Sequence, residues 1–260
     1  MNVATCDLFG VPVAAVTMDT ALGFVDEAVS TRRPLQIGVV NAAKLVNMRR
    51  NEELRADVLS SDVVLADGMA VVWASRILGR PLPERVAGID LMIGMLTRGN
   101  ASGYRVYCLG ATPEVLDAVI TRIRREYPGV TVAGSYHGYF KDADEARVAA
   151  DIAAAQPDIL LIAMTSPRKE RFLSRWSRSL AVPVCHGVGG SFDVFAGYVE
   201  RAPERWQRMG LEWLYRVKQE PRRLWKRYFT TNSAFLVMVA GVLVRQQLAR
   251  IKPAARVTPT

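Results

Sequence analysis

Cysteine and histidine are both scarce in this chain. The three cysteines, Cys6, Cys108 and Cys185, form no close pair, and the histidines are only His137 and His186. That spacing excludes a disulfide framework and argues against a His/Cys metal centre. It fits a reducing cytoplasm, and Cys108, inside an apolar run, reads as a core residue. No nucleophile stands at a spacing that would build a triad with His186, and Ser166 lacks the setting of a nucleophile elbow. His137 reads as structural or at a pocket edge. The first ten residues hold Asp7 but no basic cluster and no long apolar stretch, so no signal peptide is read there. The apolar run over residues 235–244 falls short of the roughly 20 residues that span a bilayer. Extending it backward meets Thr230, Thr231, Asn232 and Ser233. An in-plane or partly inserted helix is expected there, with packing on the domain or on another subunit as the alternative.

What the chain has instead is positive charge. Its 34 Lys and Arg against 25 Asp and Glu give a formal charge of +9. Such a balance attracts nucleic acid, anionic lipid or phosphorylated substrates alike. Distribution separates them. Arg216, Lys218, Arg222, Arg223, Lys226 and Arg227 face one acid, Glu220, and are interleaved with Trp213, Tyr215, Trp225, Tyr228 and Phe229. Cations beside aromatic rings suit an anionic membrane surface, where charges meet lipid phosphates and rings sit at headgroup depth. No DNA- or RNA-reading motif accompanies them, so no nucleic-acid partner is expected.

Short β-rich runs alternate with helical stretches through the first two thirds of the chain. Strands are predicted over 36–40, 63–66, 104–109, 131–134, 159–163 and 182–185. Helices are predicted over 43–59, 69–78, 89–98, 113–127, 143–155 and 169–179. Thr112 before Pro113 is a helix start, and Tyr127-Pro128-Gly129 a stop. The alternation predicts an α/β fold: a Rossmann-like, mostly parallel sheet with helices on both faces. A hairpin is expected around Gly10-Val11-Pro12. Three segments follow: an α/β domain over 1–200, a basic helical membrane-associating appendage over 201–251, and a disordered tail over 252–260. Removing everything after Pro203 is expected to leave a more soluble α/β domain.

In such a sheet, ligands bind beyond the carboxyl ends of the strands. The residues expected there are Asn41, Asp67-Gly68, Gly110, the 165–170 segment containing Lys169, and Gly187 to Asp193 with Gly189 and Gly190. Asp67 is held at a strand end with backbone room beside it. That placement suits a general base, and equally an N-cap for the helix that follows. The glycine-rich loop is neither a P-loop nor GxGxxG; it allows a phosphate to approach, or makes a tight turn. Arg85 is a loop cation that can meet a diphosphate or simply be solvated.

Taken in order, these segments carry a resemblance. They are Asn41-Ala42-Ala43-Lys44, Ala66-Asp67-Gly68-Met69, Arg85-Val86-Ala87-Gly88-Ile89-Asp90-Leu91, Gly138-Tyr139-Phe140, Ser166-Pro167-Arg168-Lys169-Glu170, Gly187-Val188-Gly189-Gly190-Ser191-Phe192-Asp193, Arg201-Ala202-Pro203 and Glu212-Trp213-Leu214-Tyr215-Arg216. The series resembles the WecG/TagA/CpsF family of bacterial glycosyltransferases, over most of the chain. The resemblance implies transfer of a sugar from a UDP-sugar to an undecaprenyl-diphosphate-linked sugar, with inversion, at the cytoplasmic face of the inner membrane. It implies a peripheral enzyme with no cofactor and no metal, making an exopolysaccharide or cell-wall polymer, and it leaves self-association open. It places the general base on Asp67 and catalytic arginines on Arg85, Arg216 and Arg223. Asn41 and Asp193 match further active-site positions; together with the strand-end reading, substrate contacts are expected at Asn41, Gly110, Lys169, Gly187, Gly189, Gly190 and Asp193, and from the basic aromatic cluster membrane or lipid-diphosphate contacts at Arg222, Trp225, Lys226 and Arg227. Val39 stands where many members carry Thr, and Lys169 where many carry Gln, which puts an N-acetylmannosamine donor in question and brings in a glucosyl or uronosyl one. The competing readings are an NAD-type oxidoreductase, disfavoured by the missing GxGxxG, and a non-catalytic basic membrane binder.

Overall fold

The computed structural model describes residues 3–251, apart from the side chains of Arg223, Arg250 and Ile251. The expectations placed on Arg223 and on a tail over 252–260 lie outside the described residues. The chain opens on a hairpin, β1 (Thr5–Asp7) and β2 (Pro12–Ala14), closed by Gly10 at φ +76°. Then come α1 (Met18–Thr31), β3 (Leu35–Val40), α2 (Ala42–Met48), α3 (Glu52–Leu59), β4 (Val63–Ala66), α4 (Met69–Ile77) and α5 (Gly88–Ser102). The second half of the sheet brings β5 (Arg105–Gly110), α6 (Pro113–Glu126), β6 (Thr131–Tyr136), α7 (Glu145–Ala155), β7 (Ile159–Ala163), α8 (Arg168–Leu180), β8 (Val184–Gly187) and α9 (Ser191–Phe195). Three helices end it: α10 (Glu204–Arg208), α11 (Glu212–Gln219) and α12 (Pro221–Ile251).

The main sheet has six strands in the order β4-β3-β8-β7-β5-β6, and every pairing is parallel. Strand residues alternate between two cores. Val63, Leu65, Val106, Cys108, Ile159 and Leu161 face α1, α5, α6 and α9. Val64, Tyr107, Leu109, Leu160 and Ile162 face the opposite layer, which holds α2, α3, α4, α7 and α8. This period of two, buried on both sides, is what a parallel sheet with helices on both faces requires. The helices leaving β3 and β8, which are neighbours, lie on opposite faces. That divergence opens a crevice at their carboxyl ends.

Two expectations change. The single helix over 43–59 is two, because Asn51 accepts from Leu54 N at 2.8 Å and starts a new helix at Glu52. The C-terminal run is also longer than the apolar stretch suggested. Thr230 and Thr231 turn their hydroxyls back onto the Lys226 and Arg227 carbonyls at 2.8 Å, so they continue the helix. By length and composition, Leu224–Ala249 can cross a membrane. One face of it does something else. Phe235, Met238 and Val239 are buried in the core shared with α2, and the Phe235 ring meets Phe9 edge-on at 5.7 Å.

That packing alters what removal of residues after Pro203 should do. Each large apolar side chain taken from such a core costs about 1.5–3 kcal/mol, and here the α2 face and Phe9 are uncovered as well. The shortened protein is expected to melt at least several degrees lower and to self-associate. Light scattering and a thermal melt check this; a shortened protein as stable and monodisperse as the full chain would show that α12 adds nothing to the core.

Candidate active site

Asp67 follows β4 directly and is half-buried. Its carboxylate does not cap α4. The cap position is Gly68, at φ +153°, and no side chain caps that helix. Instead Asp67 Oδ1 accepts from Gly88 N at 3.3 Å. Gly88 opens α5, so its N–H belongs to the first turn, where amides lack helical partners and favour an anion. The loop carrying Gly88 is tied to β4 by Val86 N donating to Ala66 O at 2.9 Å. Behind Gly88 lies His186, wholly buried on β8, whose Nε2 is 3.2 Å from the Gly88 carbonyl. A carbonyl only accepts, so Nε2 carries the proton. Burial depresses the imidazole pKa to about 4, which keeps it neutral. His186 is thus no proton-transfer group; it fixes the peptide that fixes Asp67.

Arg85 lies on the same loop and is paired twice, with Glu212 at 2.5 Å and Asp90 at 3.3 Å. Arg201 completes the ring, 2.6 Å from Asp90 and 3.8 Å from Glu212. Two arginines and two carboxylates therefore clasp α11 to the start of α5. Arg216, one turn beyond Glu212, lines a cavity of about 10 Å³ with Glu212, Arg201 and Glu200. Glu212 is the link between the two predicted arginines: it pairs with Arg85 and lines this cavity with Arg216. Sequence reading singled out neither Asp90, Glu212 nor Arg201 for chemistry. The signal was present: all three sit in the motif segments, but a carboxylate's partner cannot be read from spacing across more than a hundred residues.

Under the glycine loop lies a buried ionic cluster. Lys44 Nζ is 2.8 Å from Glu170 Oε1, and Lys169 Nζ is 3.8 Å from the same oxygen. A cavity of about 20 Å³ separates them from Gln36, Asp57 and Ser61, room for about one water molecule. Lys169 lies under Gly187 and Gly189, where an added Cβ would stand 3.2 Å from Cδ and Nζ respectively. Burial, with Lys44 adding repulsion, pulls the Lys169 ammonium down to about 8, against the pull of Glu170 and Asp67. Burial alone would raise the Glu170 carboxyl; Lys44 and Lys169 bring it below its usual value. The Lys169 charge is present below pH 8 and lost above it. Catalytic efficiency is therefore expected to fall as pH rises through about 8, and Lys169→Gln should remove that limb of the profile. An identical limb in the variant would assign it to another group.

The remaining predicted positions divide. Asn41 stands beside Gly68 and caps α2, accepting from Lys44 N at 3.0 Å. Gly187 ends β8, but the Val188 and Gly189 amides both donate to Ile162 O, at 2.9 and 3.2 Å. Those two N–H groups hold a tight turn, and Gly189 takes φ +55° there. Asp193, half-buried in α9, lies beside Gly190. Gly110 is required by packing: at φ +123°, its Cβ would fall 2.5 Å from the Ala163 backbone. His137 stacks on Tyr136 and accepts from Tyr139 N at 3.1 Å, a structural role. Arg168 was not singled out, yet its guanidinium holds the Gly138 and Phe140 carbonyls at 2.6 and 2.5 Å. Arg222, Trp225, Lys226 and Arg227 are exposed on the first turns of α12. Among the described residues, no group of three or more His, Cys, Asp or Glu could hold a metal ion.

The strand-end Asp67, the arginine–carboxylate clasp on the neighbouring loop and the basic aromatic start of α12 all lie within one matched family segment. A model described as glycosyl transferase WecG/TagA/CpsF family matches residues 6–250. The chain is also similar to two proteins named N-acetylglucosaminyldiphosphoundecaprenol N-acetyl-beta-D-mannosaminyltransferase. One, from Bacillus spizizenii strain W23, is 40% identical over 178 residues, 68% of each chain. The other, from Bacillus subtilis strain 168, is 40% identical over 184 residues, 70% of this chain and 71% of the relative. The α/β fold, the strand-end Asp67 and a match across almost the whole length lead to one conclusion: this chain belongs to the WecG/TagA/CpsF family of glycosyl transferases.

Proposed function

We propose that the protein transfers a hexosyl group from a UDP-sugar to an undecaprenyl-diphosphate-linked sugar, with inversion, at the cytoplasmic face of the inner membrane. The observation that carries this reading is Asp67, held at the end of β4 by Gly88 N, three residues along the same loop from Arg85. The acceptor hydroxyl attacks the anomeric carbon from the side opposite UDP. Asp67 takes its proton as the new C–O bond forms, and the bond to the UDP oxygen breaks. Negative charge then grows on the departing diphosphate, which Arg85, on exchanging its carboxylate partners for the diphosphate, and Arg216 stabilise. Arg223 belongs to this group by motif. The Lys169 ammonium adds field below the glycine loop.

The lipid-linked acceptor follows from the relatives, whose names specify an N-acetylglucosaminyl-diphosphoundecaprenol acceptor and an N-acetylmannosaminyl donor group. The exposed Arg222, Trp225, Lys226 and Arg227 suit the anionic surface in which such an acceptor resides. UDP release, measured over a panel of UDP-sugars with a polyprenyl-diphosphate-sugar in anionic vesicles, tests the reading. Acceptor-dependent release with one donor is expected. No release with any donor, from a folded protein that binds neither UDP nor vesicles, would overturn it.

A further inference from the structure

We propose that one face of α4, the stripe Met69–Trp73–Ile77, seats the first isoprene units of the acceptor's polyprenyl chain, an inference that rests on the lipid-linked acceptor proposed above. The stripe starts where the chemistry is. Asp67 and Gly68 immediately precede α4, so a sugar whose hydroxyl meets Asp67 carries its diphosphate and lipid away from that point. The three side chains recur at intervals of four, which puts them on one helix face. They extend about 12 Å from the site, at about 1.5 Å per residue.

The rest of α4 obeys the usual partition: Val71, Val72, Ala74 and Ser75 are buried. Trp73 and Ile77 are not, at 42% and 57% exposure. A single exposed apolar residue is ordinary; two on successive turns, in line with the candidate base, form a track. The track has a second wall. The turn between α10 and α11 crosses it at Gly210, where a Cβ would fall 2.7 Å from Met69 Cβ and from Trp73 Cη2. Met209 and Leu214, on either side of that turn, are exposed as well.

The track also has an exit. At its far end Leu78 O accepts from Gln246 Nε2 at 3.4 Å, which sets the end of α4 against α12. The outer face of α12 there presents Val244 and Leu248. An apolar path thus runs from beside Asp67 along α4 to its contact with α12. Arg76 and Arg80, both exposed, stand at the α4 end of that path, where cations would meet headgroups.

Full-length protein in anionic vesicles would be irradiated with undecaprenyl diphosphate carrying a benzophenone at its first isoprene unit, and the adducts mapped by mass spectrometry. Adducts on the peptide from Met69 to Arg76 are expected; adducts confined to α12, or to neither element, would overturn the proposal. This readout needs no sugar transfer, so an α4 adduct from a protein that transfers no sugar would uphold the track and remove the glycosyl-transfer reading. Kinetics give the second readout. In Trp73→Ser and Ile77→Ser, the ratio of kcat/KM for a full-length polyprenyl acceptor over one with two isoprene units is expected to fall about tenfold, the loss of one apolar contact. The atoms nearest Gly210 belong to Met69 and Trp73, and Ile77 lies one turn farther on, so an unchanged ratio in Ile77→Ser would sink the proposal even if Trp73→Ser perturbed the appendage.

Discussion

Asp67→Asn is expected to lower turnover by about 10²- to 10⁴-fold, the usual contribution of a positioned base, while UDP still binds. The substitution is chosen for what it preserves. An asparagine oxygen still accepts from Gly88 N, so the 3.3 Å contact and the Val86–Ala66 tie that positions it both survive. Only the capacity to take a proton is lost. His186 cannot substitute for it, because its protonated nitrogen is turned to the Gly88 carbonyl and burial keeps the ring neutral. Single-turnover rates with saturating donor and acceptor, with UDP affinity from calorimetry, separate chemistry from binding. Turnover within a few-fold of the wild type would remove Asp67 from the base role.

Glu170→Gln carries the largest expected cost in stability. It removes the one carboxylate, among the described residues, that pairs both Lys44 and Lys169, and Lys44 and Glu170 are each less than a tenth exposed. Leaving buried ammonium groups without their counter-ion costs about 3–5 kcal/mol. In a chain of this size that lowers the melting temperature by about 10 °C. The pH dependence has a definite sign. The native Lys169 pKa, about 8, lies below the unfolded value, so the native state binds fewer protons between the two and stability rises with pH across that window. Without Glu170 the lysine sheds its proton at lower pH still. The deficit of the variant should therefore be greatest below pH 7 and narrow as pH approaches 8. Melts from pH 6 to 9 check this; a constant deficit would mean that the loss comes from packing rather than charge.

The parallel sheet was legible because its strands are buried on both faces and leave continuous apolar runs, such as 159–163, bounded by helical periodicity. Thr112 and Pro113 announced α6 for the same local reasons that hold in the structure, where Thr112 accepts from Val115 N. The break at Asn51 was missed because apolar periodicity runs on through it; a cap in mid-pattern competes with that signal and here prevails. At the candidate site, the positions of Asp67 at a strand end and of Arg85 on a loop were legible. Whether Asp67 caps α4 was not, and only the geometry shows the carboxylate turned to Gly88 instead. The Arg85–Glu212 and Lys44–Glu170 pairs span 127 and 126 residues, and no local pattern encodes such partners. The two faces of α12 were likewise hidden, because an apolar run does not say whether protein or lipid will cover it.

The clasp around Arg85 makes two events compete. Glu212 and Asp90 occupy the guanidinium that, on the proposed mechanism, a diphosphate must also use. A ligand on Arg85 then weakens the hold of α11 on the domain, and a firmly held α11 weakens the ligand, by the same factor in both directions. On the proposed mechanism the appendage would then report nucleotide occupancy. Its orientation relative to the sheet should differ between the nucleotide-free and nucleotide-bound protein, and a membrane that favours one orientation will change nucleotide affinity to the same extent.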